Sequence, residues 1–333
     1  MVQYVKPMSV PQNLRKRINF QGDFEVLLSD VASSYGLGKL VSFDPIEMGY
    51  EDLNINLVTS KGNYFVKIFA EGRDNAECLR LINVVKTAID NGVTHPEFLK
   101  RDTGYIFRER YEDFNIRLAV FEFVEGQNFY ELGRKPTEAE LKEVIKLATI
   151  INSIDHKPAE LYDPWALVNF PAELKKAKKF LSEEELETLE KLKAEFEKID
   201  LKSLPHVLVH GDLISTNLIK TSKKIYCVDF SVANYYPRIV ELAVLMSDLF
   251  FDPSGKNKIT DSYDFLITEY QKHIKLTKEE LEILPLFVKL AHAMHIIGGT
   301  LEKNKKKNKS PENEHWLELG KKGLAQSLKA WSK

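Results

Sequence analysis

Little in this sequence is extreme, and each shortage removes a class of protein. Cysteine is scarce: Cys78 and Cys227 are the only two. One falls in a helical-looking stretch and the other in a strand-like one, without metal-ligand spacing, so both read as reduced packing residues of a cytoplasmic protein. Charge imbalance is missing as well. With 47 Lys and Arg against 49 Asp and Glu, the formal net charge of −2 gives no global pull toward DNA, RNA or an anionic membrane. The segment MVQYVKPMSVPQNLRKR holds no uninterrupted apolar h-region and is not expected to be a secretory signal. The longest apolar stretches read as well short of a membrane span, and internal repeats and long linkers are lacking. Composition therefore points to a soluble chain; its 333 residues, 44% hydrophobic and 29% charged, suffice for two domains or two lobes.

What is present changes character near residue 124. NINLV (54–58), the turn signal SKGN and YFVKIF (64–69) predict a hairpin. YIFRERY (105–111), a polar turn at EDFN and IRLAVFEFV (116–124) predict a second. Between them, Leu79, Ile82, Val85 and Ile89 recur at helical steps over 75–92, and Gly92 supplies a C-terminal stop. An upstream helix, FEVLLSDVASSYG, ends at Gly36. Beyond Gly126, Thr137-x-x-Glu140, Ser182-x-x-Glu185 and Thr277-x-x-Glu280 are capping-box patterns, each opening an amphipathic helix. LPLFVKLAHAMHIIGG (284–299) is apolar enough to be a buried helix, and the basic run KNKKKNK (303–309) reads as a solvated loop between helices. The expected layout is α+β: a small strand-rich lobe over 1–124, a hinge near 122–128, and a larger helical lobe over 125–333.

One patch inside the helical lobe does not fit a purely structural reading. VLVHGDLISTNLI (207–219) starts as a buried strand, then sets His210, Asp212 and Asn217 between apolar runs, where unpartnered polar groups are costly. After a polar turn at 221–224 the chain runs into KIYCVDF and a second carboxylate, Asp229. Two carboxylates brought together repel unless a cation lies between them. Hard oxygen ligands with one neutral amide suit Mg²⁺, which shares its shell with water and phosphate. This is the logic of phosphoryl transfer in kinases: Asp212 as base, Asn217 and Asp229 as metal ligands, and His210 holding the loop's backbone. Such a reaction also needs a lysine on a strand and an acid to hold it. Lys67, between Val66 and Ile68, is the lysine; Glu77 in the following helix is the expected acid, with Glu71 also near. The polar turn MGYEDLN (48–54) is a candidate phosphate cover through Gly49, Tyr50 and Asn54, with a plain hairpin turn as the equal alternative. The backbone of Glu122 and Val124, in FEFVEG, is a candidate edge for adenine.

HGDLISTNLI followed by CVDF resembles the Brenner-type motif of the aminoglycoside phosphotransferase and choline kinase family, and YGLGKLVSFDPIEMGYEDLNINLVTSKGNYFVKIF is similar to the opening of type II homoserine kinases. The resemblance covers nearly the whole chain apart from the first twenty residues. It implies a bilobal protein-kinase-like fold, a small N-lobe with an antiparallel sheet beside a mostly helical C-lobe, and ATP with Mg²⁺ as cofactors. It carries over Asp212 as base, Asn217 and Asp229 as metal ligands, Lys67 as phosphate contact and Glu77 as its partner. Two departures stand out: Ile214 where many members have His or another polar residue, and Glu241 in VELA where relatives often have Asp, expected here to be structural. The leading expectation is a kinase acting on a hydroxyl of a small metabolite: a homoserine-like amino alcohol, choline or ethanolamine, a sugar, or an aminoglycoside. Arg238 is a candidate cation for an anionic or zwitterionic acceptor, whereas no acidic cluster for a polycationic one is evident. Two other classes stay open. A Ser/Thr protein kinase is opposed by the short VANYYPRIVELA, which leaves no activation segment; a pseudokinase scaffold is opposed by the presence of Lys67, Asp212, Asn217 and Asp229 together. Neither nucleic acid nor membrane is expected as a partner, and the oligomeric state is left open.

Overall fold

The computed structural model describes residues 9–111 and 114–332. The first eight residues of the segment read for a signal, and Glu112 and Asp113 of the EDFN turn, lie outside the described residues. The chain divides into two units. One runs to Lys86 and resumes over His95–Glu125; the other takes Thr87–Thr94 and everything from Gly126. A single cut at 124/125 therefore places the end of the 75–92 helix and the loop after it in the wrong unit.

In the first unit, α1 (Gln12–Arg15) and α2 (Phe24–Ser34) are followed by β1 (Leu40–Ile46), β2 (Leu53–Thr59), β3 (Gly62–Ile68), α3 (Asn75–Asp90), β4 (Ile106–Tyr111) and β5 (Phe114–Glu122). The strands form one antiparallel sheet in the order β1-β2-β3-β5-β4. Phe114 and Asn115, expected in the second turn, are already strand. Period-two patterning sets the sheet's buried face. Leu53, Ile55 and Leu57 of β2, Val66 and Ile68 of β3, and Leu118 and Val120 of β5 pack with Leu27, Leu28 and Val31 of α2 into one core. Lys67 falls between two core residues, so it stands on the opposite face. Helix α2 begins at Asp23, whose carboxylate accepts the Glu25 N–H at 2.7 Å, and it stops before Gly36, where φ is +66°.

The second unit holds β6 (Gln127–Asn128), α4 (Glu138–Asn152), α5 (Phe170–Ala177), α6 (Glu183–Phe196), β7 (His206–Val209), β8 (Leu218–Lys220), β9 (Ile225–Cys227), β10 (Asn234–Pro237), α7 (Ile239–Ser247), α8 (Ile259–Tyr270), α9 (Lys278–Lys305) and α10 (Pro311–Ala330). All three predicted capping boxes form, with side chain and backbone bonded both ways at Thr137/Glu140, Ser182/Glu185 and Thr277/Glu280. Short strands bracket the catalytic-looking stretch. β7 pairs only with β10 among the named strands, while the predicted hairpin β8–β9 takes β6 as a third strand. The approach of β6 requires Gly126: a Cβ there would meet the Lys220 carbonyl oxygen at 2.6 Å.

Helix α9 corrects the reading that no stretch approaches membrane length. Its 28 residues are long and apolar enough, by composition, to cross a bilayer. It is instead packed among α5, α6, α7 and α10, with most of its apolar window buried, and is apolar on several faces because several helices surround it. Its last turn absorbs Lys303 and Lys305 of the basic run, so only part of that run is loop. Lys303 pairs with Glu314 and Lys306 with Glu302, each at 2.6 Å. Both cysteines are free and buried, and burial pushes the Cys78 thiol up to about 11.

Candidate active site

Strand β7 ends at Val209, and the next residues form a braced loop. His210 is fully buried. Its Nδ1 accepts the Asp212 N–H at 3.2 Å, which makes Nε2 the protonated nitrogen, donating to the Val228 carbonyl at 3.1 Å. Burial pushes its pKa down to about 4, so the ring is neutral, as this tautomer requires. The His210 N–H donates to Glu241 Oε2 at 2.5 Å, and the Gly211 N–H also bonds this carboxylate. Glu241 lies in the first turn of α7 and is itself fully buried, which raises its pKa to about 7. Gly211 adopts φ +81°, a conformation that costs a side-chain-bearing residue energy. His210 and Glu241 thus hold backbone, as the sequence suggested.

The loop delivers Asp212 to Asn217. Asn217 Nδ2 donates to Asp212 Oδ2 at 2.7 Å and to the Asp212 carbonyl at 2.9 Å. The amide nitrogen is thereby committed, and the amide oxygen is the atom left to serve as a ligand. Asn217 closes a 3-10 turn over Ser215–Asn217, and that turn is fixed from outside: the Ser215 N–H donates to Asp248 Oδ2 at 2.6 Å. Asp229 follows β9 with φ 66° and ψ 69°, a left-handed conformation that few residues other than glycine adopt readily. One of its oxygens, Oδ1, accepts both the N–H and the hydroxyl of Ser231.

The electrostatics identify Asp212 as the unusual group. Burial first, then the charges of Asp229 and Asp163, raise its pKa to about 7; Asn217 opposes the shift, and Asp248 adds to it. Four carboxylates therefore act on one locus, which is the charge distribution a divalent cation relieves. Among the described residues, no group of three or more His, Cys, Asp and Glu side chains could by itself hold a metal ion. Mg²⁺ asks for less: one or two carboxylates, with waters and phosphate oxygens completing the shell. Asp229 and the Asn217 amide oxygen fit that requirement.

In the first unit, Lys67 is almost fully buried. The acid that meets it is Asp52, with Nζ to Oδ2 at 3.2 Å and both side chains under one-tenth exposed. Glu77 is engaged elsewhere. It accepts the Asp74 N–H at 3.1 Å while its own N–H donates to Asp74 Oδ1 at 2.9 Å, a capping box at the head of α3. The spacing Asp74-x-x-Glu77 is the sequence signal that would have assigned it there. Glu71, the other acid considered, accepts from Asn19 at 2.7 Å. Asp52 was legible too: once the two-residue turn at Ser60-Lys61 fixes Asn54 opposite Lys67, residue 52 must fall beside 67–69.

Gly49 and Tyr50 lie in the loop from β1 to β2, with Gly49 at φ +96°. Arg17 grips both ends of that loop through the Glu47 carbonyl at 3.0 Å and the Asp52 carbonyl at 3.3 Å. The buried Asn54 Oδ1 has no hydrogen-bond partner among the described residues. Glu122 ends β5, and its N–H already donates to the Glu97 carbonyl at 3.0 Å, so an adenine edge cannot take that donor; Val124 lies just past the strand. Arg238 is likewise committed. Its guanidinium forks onto Glu280, Nε to Oε1 at 2.6 Å and Nη2 to Oε2 at 2.5 Å, and also donates to the Lys275 carbonyl. It ties the start of α7 to α9 and is not a cation waiting for an acceptor. Asp163 and Asp248 escaped the sequence reading altogether, because nothing local links residues so far apart in the chain to Asp212.

Comparison with known proteins gives the chain a family and a fold. The description "Phosphotransferase enzyme family" matches residues 42–270. Among individual relatives, the homoserine kinase of Rhizobium meliloti (strain 1021) is 24% identical over 263 residues, spanning 77% of this chain and 78% of its own. The homoserine kinase of Chelativorans sp. (strain BNC1) is 26% identical over 261 residues, with 77% and 78% covered. Among solved structures, an amicoumacin kinase in complex with AMP-PNP, Ca²⁺ and Ami superposes with a TM-score of 0.65 at 15% identity, over 92% of this chain and 94% of that one. The choline kinase LicA from Streptococcus pneumoniae gives 0.63 at 14%, over 90% and 98%. The fold is protein-kinase-like α+β, and the chain belongs to the phosphotransferase enzyme family as a small-molecule kinase.

Proposed function

We propose that the enzyme transfers the γ-phosphate of ATP to a hydroxyl of a small metabolite, in the presence of Mg²⁺. The observation that carries this reading is the braced loop, which presents Asp212 hydrogen-bonded to Asn217 amid the charges of Asp229, Asp163 and Asp248. Asp212 accepts the acceptor's hydroxyl proton, or orients that hydroxyl, as the oxygen attacks phosphorus. Lys67 contacts the nucleotide phosphates, and the loop over Gly49 and Tyr50, with Asn54 behind it, is their cover. Val124 and the carbonyl side of Glu122 remain the candidate adenine edge. Mg²⁺, held by Asn217 and Asp229, supplies charge neutralisation at the phosphates.

The acceptor is best sought among amino alcohols. Asp163 and Asp248 provide the negative surroundings that the sequence did not reveal, and Arg238, the cation considered for an anionic acceptor, is spent on Glu280. Choline, named in a structural neighbour, carries a cationic nitrogen beside a primary alcohol. Homoserine, named in the relatives, also carries an ammonium and a primary alcohol, but adds a carboxylate that Arg238, held by Glu280, does not meet. A cytoplasmic location accords with the use of ATP.

The test is steady-state turnover of Mg²⁺-ATP against homoserine, choline, ethanolamine, methylthioribose and an aminoglycoside. Turnover with one acceptor is the expected result. ATP binding without turnover on any member would favour a binding module, and failure to bind ATP would overturn the proposal.

A further inference from the structure

The contacts around Lys67 point to a positioning residue that neither the sequence nor the family comparison assigns. We infer that Asp52, at the base of the loop from β1 to β2, positions Lys67 for the nucleotide phosphates and couples that lysine to the loop. The inference rests on the phosphotransferase reading above.

Asp52 divides its carboxylate between two tasks. Oδ2 pairs with Lys67 Nζ at 3.2 Å. Oδ1 accepts the Ala70 N–H at 2.9 Å and pairs with Arg73 Nε at 3.0 Å. Arg73 in turn reaches Glu51 Oε2 at 2.6 Å, the neighbouring residue of the same loop. With Asp52 only 6% exposed, its own contacts are desolvated and charge-assisted, of the kind that fix a side chain's direction. Arg17 holds the main chain at Glu47 and Asp52, so the loop is gripped at both ends while Gly49 turns between them. A lysine has four rotatable stem bonds and loses rotamer freedom when aimed. Asp52 supplies that aim from the strand side of the sheet, the role for which an acid on α3 was expected. Glu77 instead caps its own helix.

The consequence is specific to phosphate. Asp52 acts through Lys67, so its loss should weaken ligands that carry phosphates and spare those that do not. The experiment is calorimetric titration of AMP-PNP with Mg²⁺, and separately of adenosine, into wild type, Asp52→Asn, Lys67→Met and the double variant. Asparagine keeps the shape and an acceptor for the Ala70 N–H while removing the charge. The expected loss of AMP-PNP affinity in Asp52→Asn is on the order of tenfold, with adenosine unchanged. In the double variant the loss should be no greater than in Lys67→Met alone. Asp52→Glu keeps the charge and should recover part of the affinity, provided circular dichroism shows both variants folded. Equal losses for AMP-PNP and adenosine, or additive losses in the double variant, would overturn the inference while leaving the phosphotransferase reading intact. Failure of wild type to bind AMP-PNP would remove that reading and this inference with it.

Discussion

Replacing His210 by asparagine and by glutamine separates the two bonds of one ring. Asparagine places an oxygen where Nδ1 accepts the Asp212 N–H, but it cannot reach Val228. Glutamine extends an amide nitrogen toward the Val228 carbonyl and leaves the Asp212 N–H without its acceptor. Each lost bond strands a partly buried backbone group, at about 1–3 kcal/mol. The smaller asparagine also loses the edge contact with Phe230, whose ring centroid lies 4.4 Å away, adding about 1 kcal/mol. Asparagine is therefore expected to be the less stable variant, by about 2–4 kcal/mol in all, and glutamine by about 1–3 kcal/mol. Turnover should rank the other way. Asparagine keeps the bond that orients Asp212 and should retain kcat within about tenfold, whereas glutamine frees that N–H and should lose more. Urea unfolding gives the first ranking and kcat at saturating substrates the second. If stability and kcat fall in parallel across the pair, His210 does not orient the base and only fills space.

Two further perturbations follow from buried charge. Asp212 has a folded-state pKa near 7, above that of an unfolded carboxylate, so the folded chain holds a proton there that the unfolded chain releases. Its contribution to stability is present at low pH and lost as pH rises through 7, and Asp212→Asn should gain on wild type by about 1–2 kcal/mol between acid and mildly alkaline pH, a figure reduced because Asp212 keeps some exposed surface. Denaturation at two pH values measures it, and a gain independent of pH would refute the raised pKa that burial, with the neighbouring charges, gives Asp212. Arg238→Met should cost about 3–5 kcal/mol by stranding the buried Glu280, yet leave KM for the acceptor unchanged; Glu280→Leu on the same background should restore much of the stability. A raised acceptor KM at unchanged stability would return Arg238 to the acceptor site.

How much of this was legible depends on how far each signal lies along the chain. Local signals were sufficient for the helix caps at Thr137, Ser182 and Thr277, for the β2–β3 and β8–β9 hairpins, and for the sequence from His210 to Asp229, because each is written within a few residues. Glu77 was tied to Lys67 although a local signal pointed elsewhere: its capping partner Asp74 lies only three residues away. Asp52 could have been reached from the hairpin register, which a two-residue turn fixes. Asp163, Asp248 and the Arg238–Glu280 pair could not, since they join segments separated by an entire set of helices. Helix α9 shows the same limit from another side. Its composition alone matches a membrane span, and only the helices packed around it explain why several of its faces are apolar.

The central claim, that Asp212 acts on the acceptor and not on the nucleotide, is tested most directly by Asp212→Asn. Its Kd for AMP-PNP with Mg²⁺ should stay within about threefold of wild type, while kcat with the acceptor found in the panel falls by about a hundredfold or more. A kcat within about tenfold of wild type, with the protein folded and nucleotide bound, would contradict the role assigned to this loop.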